Sequence, residues 1–141
     1  MNLKIINYIS YATLVSALLF ILVVFYWLIY PYNPIEFKNL PHTIENKQVK
    51  SGDYLIYHVE YCKNSTVVPV ASKYFIDGLI YAIPDTLATV KEIGCGQSRI
   101  QVYVPRALPK GKYFIEASYR YQVNPIRYID VVTRTEQFEV I

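Results

Sequence analysis

The chain has few of the residues that usually carry catalysis or hold a metal: two histidines, two cysteines and one methionine in 141 residues. His42 and His58 are its whole supply of neutral-pH bases, and the common hydrolytic mechanisms need such a base beside a nucleophile, or else paired carboxylates or a metal. His58 sits in an apolar run and reads as a half-exposed strand histidine, with Glu60 and Cys62 on the same side of the chain. Cys62 and Cys95 form no C-x-x-C pair and stand apart from any histidine cluster, which excludes a recognisable zinc or redox site. Five glycines build no phosphate cradle, because Gly94-Cys95-Gly96 is too short and opens no helix. The expectation is a non-catalytic protein with no cofactor and no metal.

Charge is missing from one stretch altogether. No charged side chain lies between Lys4 and Glu36, and the segment is almost wholly apolar. A helix needs about 20 such residues to cross a hydrocarbon core of roughly 30 Å. Residues 8–30 supply them, after a short tail at 1–7, and are expected to contact the lipid bilayer. Tyr8 and Tyr11 at one end, with Tyr26, Trp27 and Tyr30 at the other, stand where an interfacial aromatic belt would lie. Pro31 and Pro34 end the helix.

A cleaved signal peptide begins in the same way, with a basic end and an apolar stretch. Here the apolar run exceeds the roughly 7–15 residues of a signal core, and its end, Phe25 to Tyr30, is bulky where a peptidase needs small residues. A retained signal-anchor is the expectation. Orientation has opposing cues: Lys4 alone on the amino side against Lys38, Lys47 and Lys50 beyond the span. That rule governs short loops, so a soluble domain of about 105 residues is expected outside, with the amino terminus inside. The short amino-terminal tail argues against a signalling receptor read by a cytoplasmic domain.

The net charge of +3 is small, and all five arginines fall in the last third, spaced among acids such as Glu116, Asp130 and Glu136. Nucleic-acid binding calls for basic clusters with stacking aromatics, so no nucleic-acid partner is expected. In an exported domain the two cysteines read as a disulfide, Cys62 to Cys95. Asn64-Ser65-Thr66 matches a glycosylation sequon, a pattern frequent by chance.

Beyond the span, residues 31–50 read as an extended linker with a possible first edge strand at Ile35–Phe37, and 51–141 as the folded domain. Ser51-Gly52-Asp53 turns into a strand from Tyr54 to Cys62, with Leu55, Tyr57, Val59 and Tyr61 on one face and Ile56, His58 and Glu60 on the other. Val67–Val70 and Lys73–Ile83 read as short strands, the second interrupted at Asp77-Gly78 by a hairpin turn or a bulge. Thr86–Ile93 reads equally as a strand or a helical turn. Ile100, Val102 and Val104 alternate with outward Gln101 and Tyr103. From Tyr113 to Val123 the period of two is clean. Asn124-Pro125 breaks that strand, and Tyr128–Ile141 closes the domain, with a bulge expected at Thr133–Thr135.

About seven short strands in about 100 residues, with turns between them, indicate an all-β protein: an immunoglobulin-like antiparallel β-sandwich preceded by one transmembrane helix. Leu108-Pro109-Lys110-Gly111-Lys112-Tyr113 resembles the E–F corner of immunoglobulin and fibronectin type III domains. The resemblance implies that Tyr113 is a tyrosine corner, its hydroxyl bonded to nearby backbone. It departs from the antibody pattern because the single tryptophan lies in the span and Cys62 to Cys95 is too short for the usual inter-sheet bridge.

Function on such a sandwich sits in end loops or on an exposed sheet face. Asn124, Pro125, Arg127 and Tyr128 have the composition of a recognition loop, Arg and Tyr being common interface anchors. Outward Tyr103 and Phe114 are weaker hints of a contact patch. Two roles fit: a binding module for a protein or glycan partner at the cell or particle surface, or a structural subunit of a viral, phage-encoded or bacterial envelope membrane assembly.

Overall fold

The fold is that of a computed structural model, which describes residues 3–84 and 92–141, with side chains from Ile5 onward. Two compact units are present: Met1–Tyr32 with Asn124–Arg127, and Asn33–Val123 with Tyr128–Ile141.

In the first unit, helix α1 spans Leu3–Ile29, beginning earlier than the expected start at residue 8. Its stretch Ile5–Ile29 is long and apolar enough to cross a bilayer, and 27 residues at 1.5 Å each extend about 40 Å. Apolar side chains are exposed along its length. The N–H of Tyr30 still bonds to the carbonyl of Tyr26 at 2.9 Å. Pro31 then ends the helix, having no N–H to offer and fixing φ.

The second unit is a β-sandwich. Among the described residues the strands are β1 (Ile35–Phe37), β2 (Thr43–Ile44), β3 (Gln48–Val49), β4 (Tyr54–Lys63), β5 (Val70–Ile76), β6 (Ile80–Ile83), β7 (Gly94–Tyr103), β8 (Gly111–Asn124), β9 (Arg127–Arg134) and β10 (Phe138–Val140), with Asn124 and Arg127 themselves counted in the first unit. One sheet holds β1, β4, β2 and β7, with β4 central; the other runs β3-β10-β8-β5-β6, with β9 also paired to β8. β4 pairs antiparallel with β1, β2 and β7, β8 with β5 and β10, and β5 with β6, whereas β10 and β3 pair in parallel. Leu55, Tyr57, Val59 and Val102 from the first sheet and Phe75, Tyr113, Ile115, Phe138 and Val140 from the second form the shared core.

The ten strands among the described residues exceed the seven expected, because several have only two or three residues. Residues 31–50 are more than a linker: three strands lie there, and Ile44 and Val49 are buried in the core. Asp77-Gly78 is a hairpin turn between β5 and β6, with Gly78 at φ 71°. Val67–Pro69 is not strand, for the N–H of Val67 bonds to Ser65 Oγ at 3.1 Å, a local alternative to a ladder. The closing segment is not one bulged strand but two, β9 and β10. At Thr135 the side-chain Oγ1 accepts the N–H of Ile115 at 3.0 Å, and the residue bridges in parallel to His42. Residues 86–91 of the segment Thr86–Ile93 lie outside the described residues.

Candidate functional site

The longest ladder among the described residues pairs β4 with β7 over ten residues. Alternation sends Leu55, Tyr57 and Val59 into the core, so Tyr54, Ile56, His58, Glu60 and Cys62 face out. Register sets them directly opposite Tyr103, Gln101, Arg99, Gln97 and Cys95. This outer face changes chemistry along its length, rung by rung.

At one end Tyr54 and Tyr103 meet edge to face, ring centroids 5.5 Å apart at 61°. They are 59% and 44% exposed. Next, Ile56 stands opposite Gln101. In the middle Glu45, which follows β2, reaches over β4: its Oε1 accepts from Arg99 Nε at 2.7 Å and lies 2.9 Å from His58 Nε2, while Oε2 accepts from Arg99 Nη2 at 3.1 Å. The Arg99 fork is the main reason the Glu45 carboxyl is held below its ordinary pKa, and the same bond raises Arg99. Glu60 accepts from Gln97 at 3.5 Å. The last rung is the disulfide between Cys62 and Cys95.

The bridge therefore joins neighbouring strands of one sheet rather than the two sheets. It also removes the thiolate that any Cys62–His58 nucleophile pair would need. Among the described residues no group of three or more His, Cys, Asp or Glu is placed to hold a metal ion.

The recognition loop is divided. Asn124 and Arg127 belong with α1: Asn124 Nδ2 donates to the carbonyl of Trp27 at 3.0 Å, and Arg127 Nη1 to that of Tyr30 at 2.7 Å. Those are carbonyls of a helix end, which have no partner within the helix. Pro125 is exposed at the turn, and Tyr128 is an exposed residue of β9 in the second unit. Tyr8, Tyr11 and Tyr26 are exposed on α1 and Tyr30 is exposed just past its end, with the rings of Tyr26 and Tyr30 5.1 Å apart and Trp27 between them in sequence, half-buried.

Tyr113 is fully buried, and its Oη donates to the carbonyl of Pro109 at 2.9 Å. Of the other hints, Phe114 is half-buried under Arg134, whose guanidinium carbon lies 5.3 Å from the ring centre. Arg134 in turn pairs with Glu116, and Arg120 with Asp130.

Tyr103 was legible as outward from period-two alternation. Its partner Tyr54 was not, since only the register of β4 against β7 joins them. Glu45 was hidden in a segment that reads as linker. Alternation on β7 was the one available signal for Arg99 and Gln101.

No protein-family model matches the chain, and no curated protein matches it. Among solved structures it is similar to the crystal structure of a Niemann-Pick type C2 protein from Japanese carpenter ant, with a TM-score of 0.47, 9% identity, and coverage of 76% of this chain and 98% of that one.

Proposed function

We propose that the chain is a non-catalytic, membrane-anchored immunoglobulin-like module whose sandwich is displayed outside the cytoplasm and binds a protein or glycan partner through the outer face of β4 and β7. The exposed Tyr54–Tyr103 pair carries this reading. Two large aromatic side chains held in water bring broad, rigid contact area with little entropy left to lose, and tyrosine and arginine are the residues that most often anchor interfaces. Gln101 and Arg99 continue the face with donors. The neighbouring Glu45 fixes the Arg99 head group in place. The disulfide supports an oxidising compartment for the sandwich, and α1 supports anchorage.

A second reading, a structural subunit of an envelope assembly, is favoured by β6. Among the described residues it pairs only with β5, and Leu79 before it and Ile80 at its start are 65% and 70% exposed. An edge strand flanked by apolar side chains is a template for association.

A photo-crosslinking residue at Gln101 in the full chain, displayed on its native membrane, separates the two. One discrete heterologous adduct, lost in the Tyr54→Ala/Tyr103→Ala variant, is the expected result. Adducts only in multiples of the chain's own mass would favour the assembly subunit. No adduct, with the variant indistinguishable from the parent, would overturn the face as a binding site.

A further inference from the structure

The turn between β8 and β9 has a geometry that its sequence alone does not suggest. Its four residues, Asn124–Arg127, belong to the same compact unit as the helix. Asn124 works at both ends of its amide: Oδ1 accepts the N–H of Ile126 at 3.1 Å and closes the turn, while Nδ2 donates to the carbonyl of Trp27. Arg127 donates to the carbonyl of Tyr30. The turn is thus fixed at the level of Trp27 and Tyr30, where α1 ends in aromatics.

We propose that this turn is a second lipid-contacting element, seated in the headgroup layer of the bilayer that α1 crosses. The inference rests on the reading of α1 as a retained anchor. The polar layer on each side of a bilayer is about 5–7 Å deep, from total and hydrocarbon thicknesses. A hydrogen bond of 2.7 Å to the Tyr30 carbonyl keeps Arg127 inside that depth. Three chemical features suit the location. Ile126 is 50% exposed at the tip, and an apolar side chain gains by leaving water for the interface. No carboxylate occurs in the turn. Within Met1–Tyr32 and Asn124–Arg127 the charged side chains are Lys4 and Arg127, so the fold gives the far end of the span its cation. A guanidinium there matches lipid phosphate, which accepts bidentate donors. Cations at a helix C-terminus also oppose the helix dipole, so the Tyr30 contact and the phosphate contact favour the same placement.

The test uses the full chain in phosphatidylcholine vesicles, with an environment-sensitive fluorophore on a single introduced cysteine: Ile126→Cys, Pro125→Cys or Tyr30→Cys. The native cysteines are bridged and do not label. Lipids bearing a nitroxide on the headgroup then report depth by quenching. The expected result is a loss of intensity at positions 126 and 125 comparable with that at 30. Quenching at 30 with none at either 125 or 126 would overturn the proposal and leave the anchor standing. No quenching at 30 would overturn the anchor reading itself, and the proposal with it.

Discussion

His42 lies against Tyr57, ring centroids 6.1 Å apart and planes 20° from parallel, in a site where both polar tips are buried. Phe37 also meets the imidazole edge to face, its ring centroid 5.4 Å away. Nδ1 of His42 is 3.2 Å from Asn39 Oδ1, whereas Nε2 and the Tyr57 hydroxyl have no hydrogen-bond partner among the described residues. Burial therefore lowers the His42 pKa, chiefly by desolvating the imidazolium, and raises that of Tyr57 for the matching reason.

The acid limb of stability follows from that sign. Well above the ordinary histidine pKa of about 6.5, His42 is neutral folded and unfolded, and contributes no pH dependence. As pH falls below that, the unfolded chain takes up the proton and the folded one resists, so stability is lost down to the lowered folded pKa. Denaturant midpoints between pH 7 and pH 5 should fall for the parent and stay flatter in His42→Gln. A parent with no slope in that window would refute the assignment. The carboxylates Glu45 and Asp130, also held low, act further down, below their own ordinary values.

Tyr113 holds the bend between β7 and β8 through its bond to Pro109. Tyr113→Phe keeps the ring against Tyr81 and Phe138 and deletes the hydroxyl. The expected loss is about 1 kcal/mol, the usual net value of one such bond, read as a fall of several degrees in Tm. An unchanged Tm would show that the bend is held by packing alone.

How much of this was legible in the sequence depends on the range of the interaction. The apolar span and the alternation of β4 and β8 are local patterns, and each appeared as an element near its expected place. Strands β2 and β3 have two residues each, too few for any period, and β3 exists because Val49 stands beside Val140, 91 positions away. The Tyr54–Tyr103 face required a register that alternation does not contain. Side chains that replace backbone partners, Ser65 Oγ for Val67 and Thr135 Oγ1 for Ile115, ended strands that propensity would have continued.

The Cys62–Cys95 bridge spans 33 positions. Its removal in Cys62→Ser/Cys95→Ser is expected to cost about 3–4 kcal/mol through the released unfolded chain, visible as a lower denaturant midpoint. In intact cells, a membrane-impermeant maleimide should label the parent only after reduction. Labelling that needs lysis and no reductant would place the sandwich inside with free thiols.

Glycines at two positions should respond to alanine in opposite directions. Gly52 turns the chain into β4 at φ 95°, a region L-residues rarely adopt, and a Cβ there would stand 3.2 Å from Arg106 Cγ. Gly52→Ala is expected to cost about 1–2 kcal/mol from backbone strain alone. Gly96, within β7, has no such φ, and its added Cβ would meet only the Tyr61 ring end at 3.4 and 3.6 Å, ordinary contact. Gly96→Ala instead removes freedom from the unfolded chain, a gain of about 0.4–1 kcal/mol. Paired chemical denaturation of the two variants reads both signs. If Gly96→Ala also lost stability, the β7 backbone at that rung would have to be strained, and the register that sets Cys95 and Arg99 on the outer face would come into question with it.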